Sequence, residues 1–171
     1  NGLNRVVLEG SDSARMILAG NLDPIAGRDR KLALDLYDKL SLNSDIGLLL
    51  ILSSSLYSLC YDDLMAFQVR ARRLIETGED KVIRKLIEAG YRGYLDRDPR
   101  DEFSLMVMAW KFGGSLSRSR LRGLIFQQKQ LSEQNFHRTL SGIRKFSETE
   151  ALGLLEYCLL YTSDAADDSA C

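Results

Sequence analysis

The hydrophobic pattern of the chain centres on Ile46–Tyr61 (IGLLLILSSSLYSLCY), sixteen residues without a charge between Asp45 and Asp62. As a helix it would span about 24 Å, short of the ~30 Å hydrocarbon core of a bilayer, and four serines make insertion costlier still. In water, a helix that is apolar nearly all round must be enclosed by other helices. The stretch is therefore expected to be the buried central helix of an all-α domain. It can run on through Leu64, Phe67 and Leu74, with Arg70, Arg72 and Arg73 outside, to a stop at Gly78.

The flanking pattern is punctuated in the same way. Leu3–Leu8 fits a strand or a helix end, and Ser11–Ala19 predicts a short helix closed by Gly20. Asp23-Pro24 has the form of an N-cap followed by proline at the first helical position, although Gly27 suggests that the regular part begins only at Asp29. Leu32, Leu36 and Leu40 then mark one helical face, and Asn43 and Ser44 signal the turn before the central helix. Glu79–Ala89 predicts a short helix with Gly90 as its C-cap, followed by a loop over Tyr91–Asp98. LIETG at 74–78 and LIEAG at 86–90 echo each other, but twelve residues is too short a spacing for a helical repeat. Asp98-Pro99 repeats the cap-and-proline device, with Asp101 and Glu102 near the N-terminus of Phe103–Phe112. That second apolar helix is expected to pack on the central one, with Trp110 in the core. Ser115 or Ser117 caps a helix with Leu121, Leu124 and Ile125 inside. Ser132 caps another with Phe136, Leu140 and Ile143 inside. Ser147-Glu148-Thr149-Glu150 is a capping box for a last helix carrying Ala151, Leu152 and Leu155. The expectation is a single compact bundle of seven to eight helices.

The C-terminal stretch changes the accounting. Cys158–Cys171 (CLLYTSDAADDSAC) resembles translated sequencing-library adapter, so residues 1–157 are taken as the native domain, expected to be an internal piece of a longer protein. Deleting Thr162–Cys171 is expected to leave the melting temperature unchanged. Setting the tail aside removes three of the 24 acidic residues and none of the 23 basic ones, which turns a net charge of −1 into +2. Cys60 is then the one cysteine and His137 the one histidine, too few for a disulfide or a zinc site. Cys60 is expected to be a small core residue, and its solitude fits a reducing compartment.

Chemistry-bearing motifs are sparse. No glycine-rich phosphate loop is present, and Asp62-Asp63 and the carboxylates of LDRDPRDE are expected to be solvated ion pairs. No enzyme, cofactor or metal is expected. The one compositional asymmetry is Lys111–Lys145, eight basic residues against the single Glu133, a balance of +7. Arg118, Arg122 and Lys129 lie on one flank of the first helix of this pair. On the second, Gln134, Arg138, Ser141 and Lys145 point away from the apolar face. Two helices joined by a short turn, with such an outer face, fit a DNA reader; a merely solvated face fits as well.

Residues 6–67 resemble the start of the C-terminal helical domain of bacterial DNA polymerase III delta subunits. The likeness lies in Ile25-Ala26-Gly27-Arg28-Asp29, Ala33-Leu34-Asp35-Leu36 and the apolar run Leu48–Leu59. The end of the chain is similar to that domain's close at Ile143–Ser147 and Leu152–Leu155. The resemblance implies a non-enzymatic, cytoplasmic piece of a sliding-clamp loader, a helical collar that joins protein subunits into a ring. An independent DNA-binding module and a protein-interaction scaffold are the alternatives. No membrane association is expected.

Overall fold

The computed structural model describes residues 2–43, 45–98, 100–101, 104–145 and 151–156, and among these every regular element is helical. In chain order they are α1 (Gly2–Glu9), α2 (Asp12–Gly20), α3 (Leu22–Ala26), α4 (Arg30–Leu40), α5 (Ile46–Leu59), α6 (Leu64–Glu76) and α7 (Asp80–Leu86). A π-helical turn (Ile87–Tyr91) leads into α8 (Arg92–Arg97), and α9 (Leu105–Phe112), α10 (Ser115–Leu131) and α11 (Glu133–Ile143) follow. Residues 151–156 form a further helical segment. None of these helices is long and apolar enough to cross a membrane.

The all-α bundle is as expected, and α5 is its centre, packed by α2, α3, α4, α6, α7 and the π turn. Leu48, Leu52, Leu56 and Leu59 are fully enclosed. Each of its serines returns a hydroxyl to the helix's own backbone, as Ser53 Oγ does to the Leu49 carbonyl at 2.7 Å, so the polar groups add no unmet donor to the core. One side nevertheless faces water, through Ile46, Ser54 and Ser58, so the enclosure is not complete all round.

The helices are shorter and more numerous than the periodicity suggests, for identifiable reasons. The central helix does not run into α6. It stops at Leu59, and Asp63 accepts from the Ala66 amide at 2.9 Å to start a new helix. Arg30 reaches across to donate to the freed Leu59 carbonyl at 3.1 Å. Asp29 caps α4 and Ser11 caps α2, each where a helix is expected to begin, whereas Asp23, the expected cap, lies inside α3 and receives the Ser58 hydroxyl instead. Leu3–Leu8 proves helical within α1.

Gly90 does not end a helix either. The chain stays helical from Asp80 to Arg97, and the expected loop over Tyr91–Asp98 is the end of the π turn plus α8. A Cβ on Gly90 would lie 2.2 Å from Tyr57 Cβ, and one on Gly93 would lie 2.5 Å from Tyr57 Cζ. Both glycines thus let this segment close on the Tyr57 ring of α5, and the π turn sets the register that presents them together. Finally, α9 lies against α6 and α10 rather than chiefly on α5.

The start of α10 is capped from a distance. Neither Ser115 nor Ser117 is the N-cap; Gly114 occupies that position, and Asp80 of α7 accepts from the amides of Gly114, Leu116 and Ser117 at 2.9–3.0 Å and from the Ser117 hydroxyl. Partial burial favours the neutral acid, but the Ser117, Leu116 and Gly114 hydrogen bonds outweigh it and hold the Asp80 carboxyl below its ordinary 3.8. Asp80→Ala should therefore cost about 1–2 kcal/mol in urea unfolding at pH 7. Because the folded-state value is depressed, this contribution is present above about pH 4 and is lost as pH falls through that value. A cost that stays constant down to pH 2 would contradict the assignment.

Candidate functional site

The basic pair folds as its spacing predicts. Leu121, Leu124 and Ile125 of α10 and Phe136, Leu140 and Ile143 of α11 are buried, and Ser132 caps α11 by accepting from the Asn135 amide at 3.2 Å. Arg118, Arg122, Gln134, Arg138, Ser141 and Lys145 are exposed, while Lys129 is half-buried. These residues do not gather into one cluster.

On α10, Arg118 and Arg122 both pack over the Trp110 ring, their guanidinium carbons 5.5 and 5.3 Å from its centroid. Arg118 Nε also donates to the Trp110 carbonyl at 2.9 Å. Trp110 is thus half-buried rather than core, with Gly153 of the last segment close to its indole nitrogen. The same flank continues one turn on to Phe126, which is 41% exposed, and then to Lys129. The predicted basic flank therefore alternates with aromatic surface.

On α11, Gln134, Arg138 and Ser141 are exposed, as expected, and Lys145 is exposed in the turn just beyond the helix, which ends earlier than the spacing suggests. Arg138 looks toward a different neighbourhood from the α10 arginines. It lines a cleft of about 400 Å³ with Arg97, Asp98 and Arg100, at the end of α8.

Beneath that cleft lies a polar cluster that the sequence pattern does not reveal. Asp101 is buried and accepts from the hydroxyls of Tyr91 and Tyr94, both at 2.8 Å, and from the amides of Leu105 and Met106 at 3.1 and 2.7 Å. Asp98 accepts from buried Gln68 at 3.2 Å and lies 3.2 Å from the Tyr94 hydroxyl, as the more distant alternative acceptor for that hydroxyl's single proton. The rings of Phe67, Tyr94 and Tyr91 stack in sequence at 5.1 and 5.5 Å. The acidic run is therefore not a set of solvated ion pairs. Asp101 takes a left-handed conformation (φ 44°) because its carboxylate must turn inward to cap α9, and Glu102 lies outside the described residues. Burial pushes the Asp101 carboxyl up, opposed by the hydrogen bonds from Met106, Tyr91, Tyr94 and Leu105. Of the other pair, Asp62 bridges exposed to Arg30 at 3.2 Å and Asp63 caps α6.

Among the described residues no group of three or more His, Cys, Asp or Glu side chains is placed to hold a metal ion. Cys60 is buried at the end of α5, where burial pushes its thiol up to about 11. His137 is exposed on α11, 3.8 Å from Glu133, and no hydrogen bond joins it to Cys60. The Ser147–Glu150 capping box and the Cys158–Cys171 tail lie outside the described residues.

No family model, no curated protein and no solved structure matches this chain.

Proposed function

We propose that the chain is a non-enzymatic helical assembly domain, as the resemblance to a clamp-loader collar implies, and that it meets other protein subunits through the α9–α10 surface. The observation that carries this reading is the flank of α10. Arg118 and Arg122 lie over Trp110, and exposed Phe126 interrupts the basic row. Aromatic anchors ringed by arginine are what protein interfaces enrich, whereas an all-phosphate contact surface has no use for the exposed ring. Phe126→Asp together with Arg122→Glu should abolish co-elution with the ring-forming subunits of a bacterial clamp loader in size-exclusion chromatography. Failure of the unaltered chain to co-elute would refute the collar role.

A second reading is favoured by α11, whose Gln134, Arg138 and Ser141 stand exposed, followed by exposed Lys145 in the turn beyond it, as a surface that a DNA groove could receive. A local balance of +7 attracts polyanions regardless of evolved role, so weak binding alone decides little. The decisive measurement is the salt dependence of duplex binding by fluorescence anisotropy. Arg138→Ala and Lys145→Ala should each lower the log–log slope by about one unit if these residues contact phosphates. Unchanged slopes in both variants would leave assembly as the function.

A further inference from the structure

Arg97 and Arg100, three residues apart at and just after the end of α8, line one cleft with the distant Arg138 of α11, and Asp98 is the carboxylate in its wall. Two of these arginines lie outside the basic helix pair. We propose that this cleft is an oxyanion site that takes a phosphoryl group.

The charge balance favours an anion. Asp98 directs one oxygen inward, to Gln68 and Tyr94, so part of its hydrogen-bonding capacity is already committed to the protein. Arg138 is exposed and, among the described residues, has neither an ion pair nor a hydrogen bond. Arg97 is engaged by Tyr61, and Arg100 has a protein interaction of its own. Three guanidiniums against the single Asp98 carboxylate still leave the cleft lining with an excess of positive charge that favours an added anion. Their planar forks suit the tetrahedral oxygens of phosphate, with each charge-assisted bond stronger than a neutral one.

The Arg97 side chain and the Arg100 backbone are also held in place before any ligand arrives. Arg97 lies over the Tyr61 ring, 5.4 Å from its centroid, and donates to the Tyr61 carbonyl. The Arg100 carbonyl sits so close to α11 that a Cβ on Gly142 would be 1.8 Å from it, so only glycine permits the approach. The following residue, Asp101, is fixed by its four hydrogen bonds. Such preorganisation lowers the ordering cost of binding. The volume, about 400 Å³, falls within the ~300–1,000 Å³ typical of small-ligand pockets.

The phosphoryl group can come from a nucleic-acid backbone, in which case the site deepens the second functional reading, or from a free phosphorylated molecule, in which case it stands apart from both readings. The test uses the full ¹⁵N-labelled chain and follows the arginine Nε–H signals during titration with pyrophosphate and, separately, with a DNA duplex at constant ionic strength. Pyrophosphate should shift the Arg97, Arg100 and Arg138 signals saturably. Arg138→Gln should weaken its binding about tenfold or more, since it removes a charge-assisted donor. Arg28→Gln, at an exposed position outside the cleft, should leave it unchanged. Among the described residues Arg138 has no ion pair or hydrogen bond to lose, so this variant should fold, and a thermal melt checks that it does. Competition between duplex and pyrophosphate for the same signals identifies a nucleic-acid source, and lack of competition identifies a free phosphorylated ligand. The proposal is overturned if pyrophosphate leaves the three signals unmoved, or if Arg28→Gln weakens binding as much as Arg138→Gln. DNA variants with unchanged salt slopes would end the DNA reading alone, because pyrophosphate binding is read independently of it.

Discussion

Leu56→Ala should destabilise the protein by about 2–5 kcal/mol in urea unfolding, with little change in the dependence on denaturant. Leu56 is fully inaccessible, and α5 is enclosed there by α7 and the π turn. Removing its branched end forfeits the transfer of those carbons from water and leaves a void that helices pinned on several sides cannot fill by collapsing. The matched control is Leu50→Ala, only half-buried on the same helix, which should cost clearly less. Equal costs at the two positions would mean that α5 is not the centre of the core.

This central burial was legible from residues 46–61 because a charge-free run has no stable alternative in water. The cap at Ser132, and the helix starts at Ser11 and Asp29, were legible for another reason: each rests on a local bond between a side chain and an amide three residues on. Misreadings arose where a local signal served a distant partner. Gly90 has the form of a helix stop, yet its missing side chain makes room for Tyr57, thirty-three positions away. Ser115 and Ser117 look like caps, but the acceptor for their helix is Asp80, on α7. The break at 60–63 was hidden by continuing apolar spacing, although Asp63 carried the signal in plain form. The candidate site divides along the same line. The exposure of the α11 face follows from helical period alone. The convergence of Arg97 and Arg100 on Arg138 depends on the packing of α11 against the turn before α9, which no window of sequence contains.

The buried Asp101 should show itself in two measurements. Asp101→Ala should cost roughly 3 kcal/mol or more, because it strands the Tyr91 hydroxyl and the Leu105 and Met106 amides away from water at once. Only Tyr94 keeps another acceptor, at Asp98. The second measurement is the pH dependence. Burial raises this carboxyl above its ordinary 3.8, so between that value and the folded-state value the folded chain binds more protons than the unfolded chain. Stability contributed by this group must then fall as pH rises across that interval, and level off above it. The stability difference between the unaltered protein and Asp101→Asn should shrink from about pH 4 upward, while the distant Asp80 contributes equally in both proteins and cancels. The opposite slope would mean that the four hydrogen bonds outweigh burial and that the carboxylate is the favoured form. Since Asp101 also fixes the backbone that places Arg100 beside α11, Asp101→Ala should loosen pyrophosphate binding even where the variant remains folded. A variant that loses stability but keeps full affinity would separate the network from the cleft.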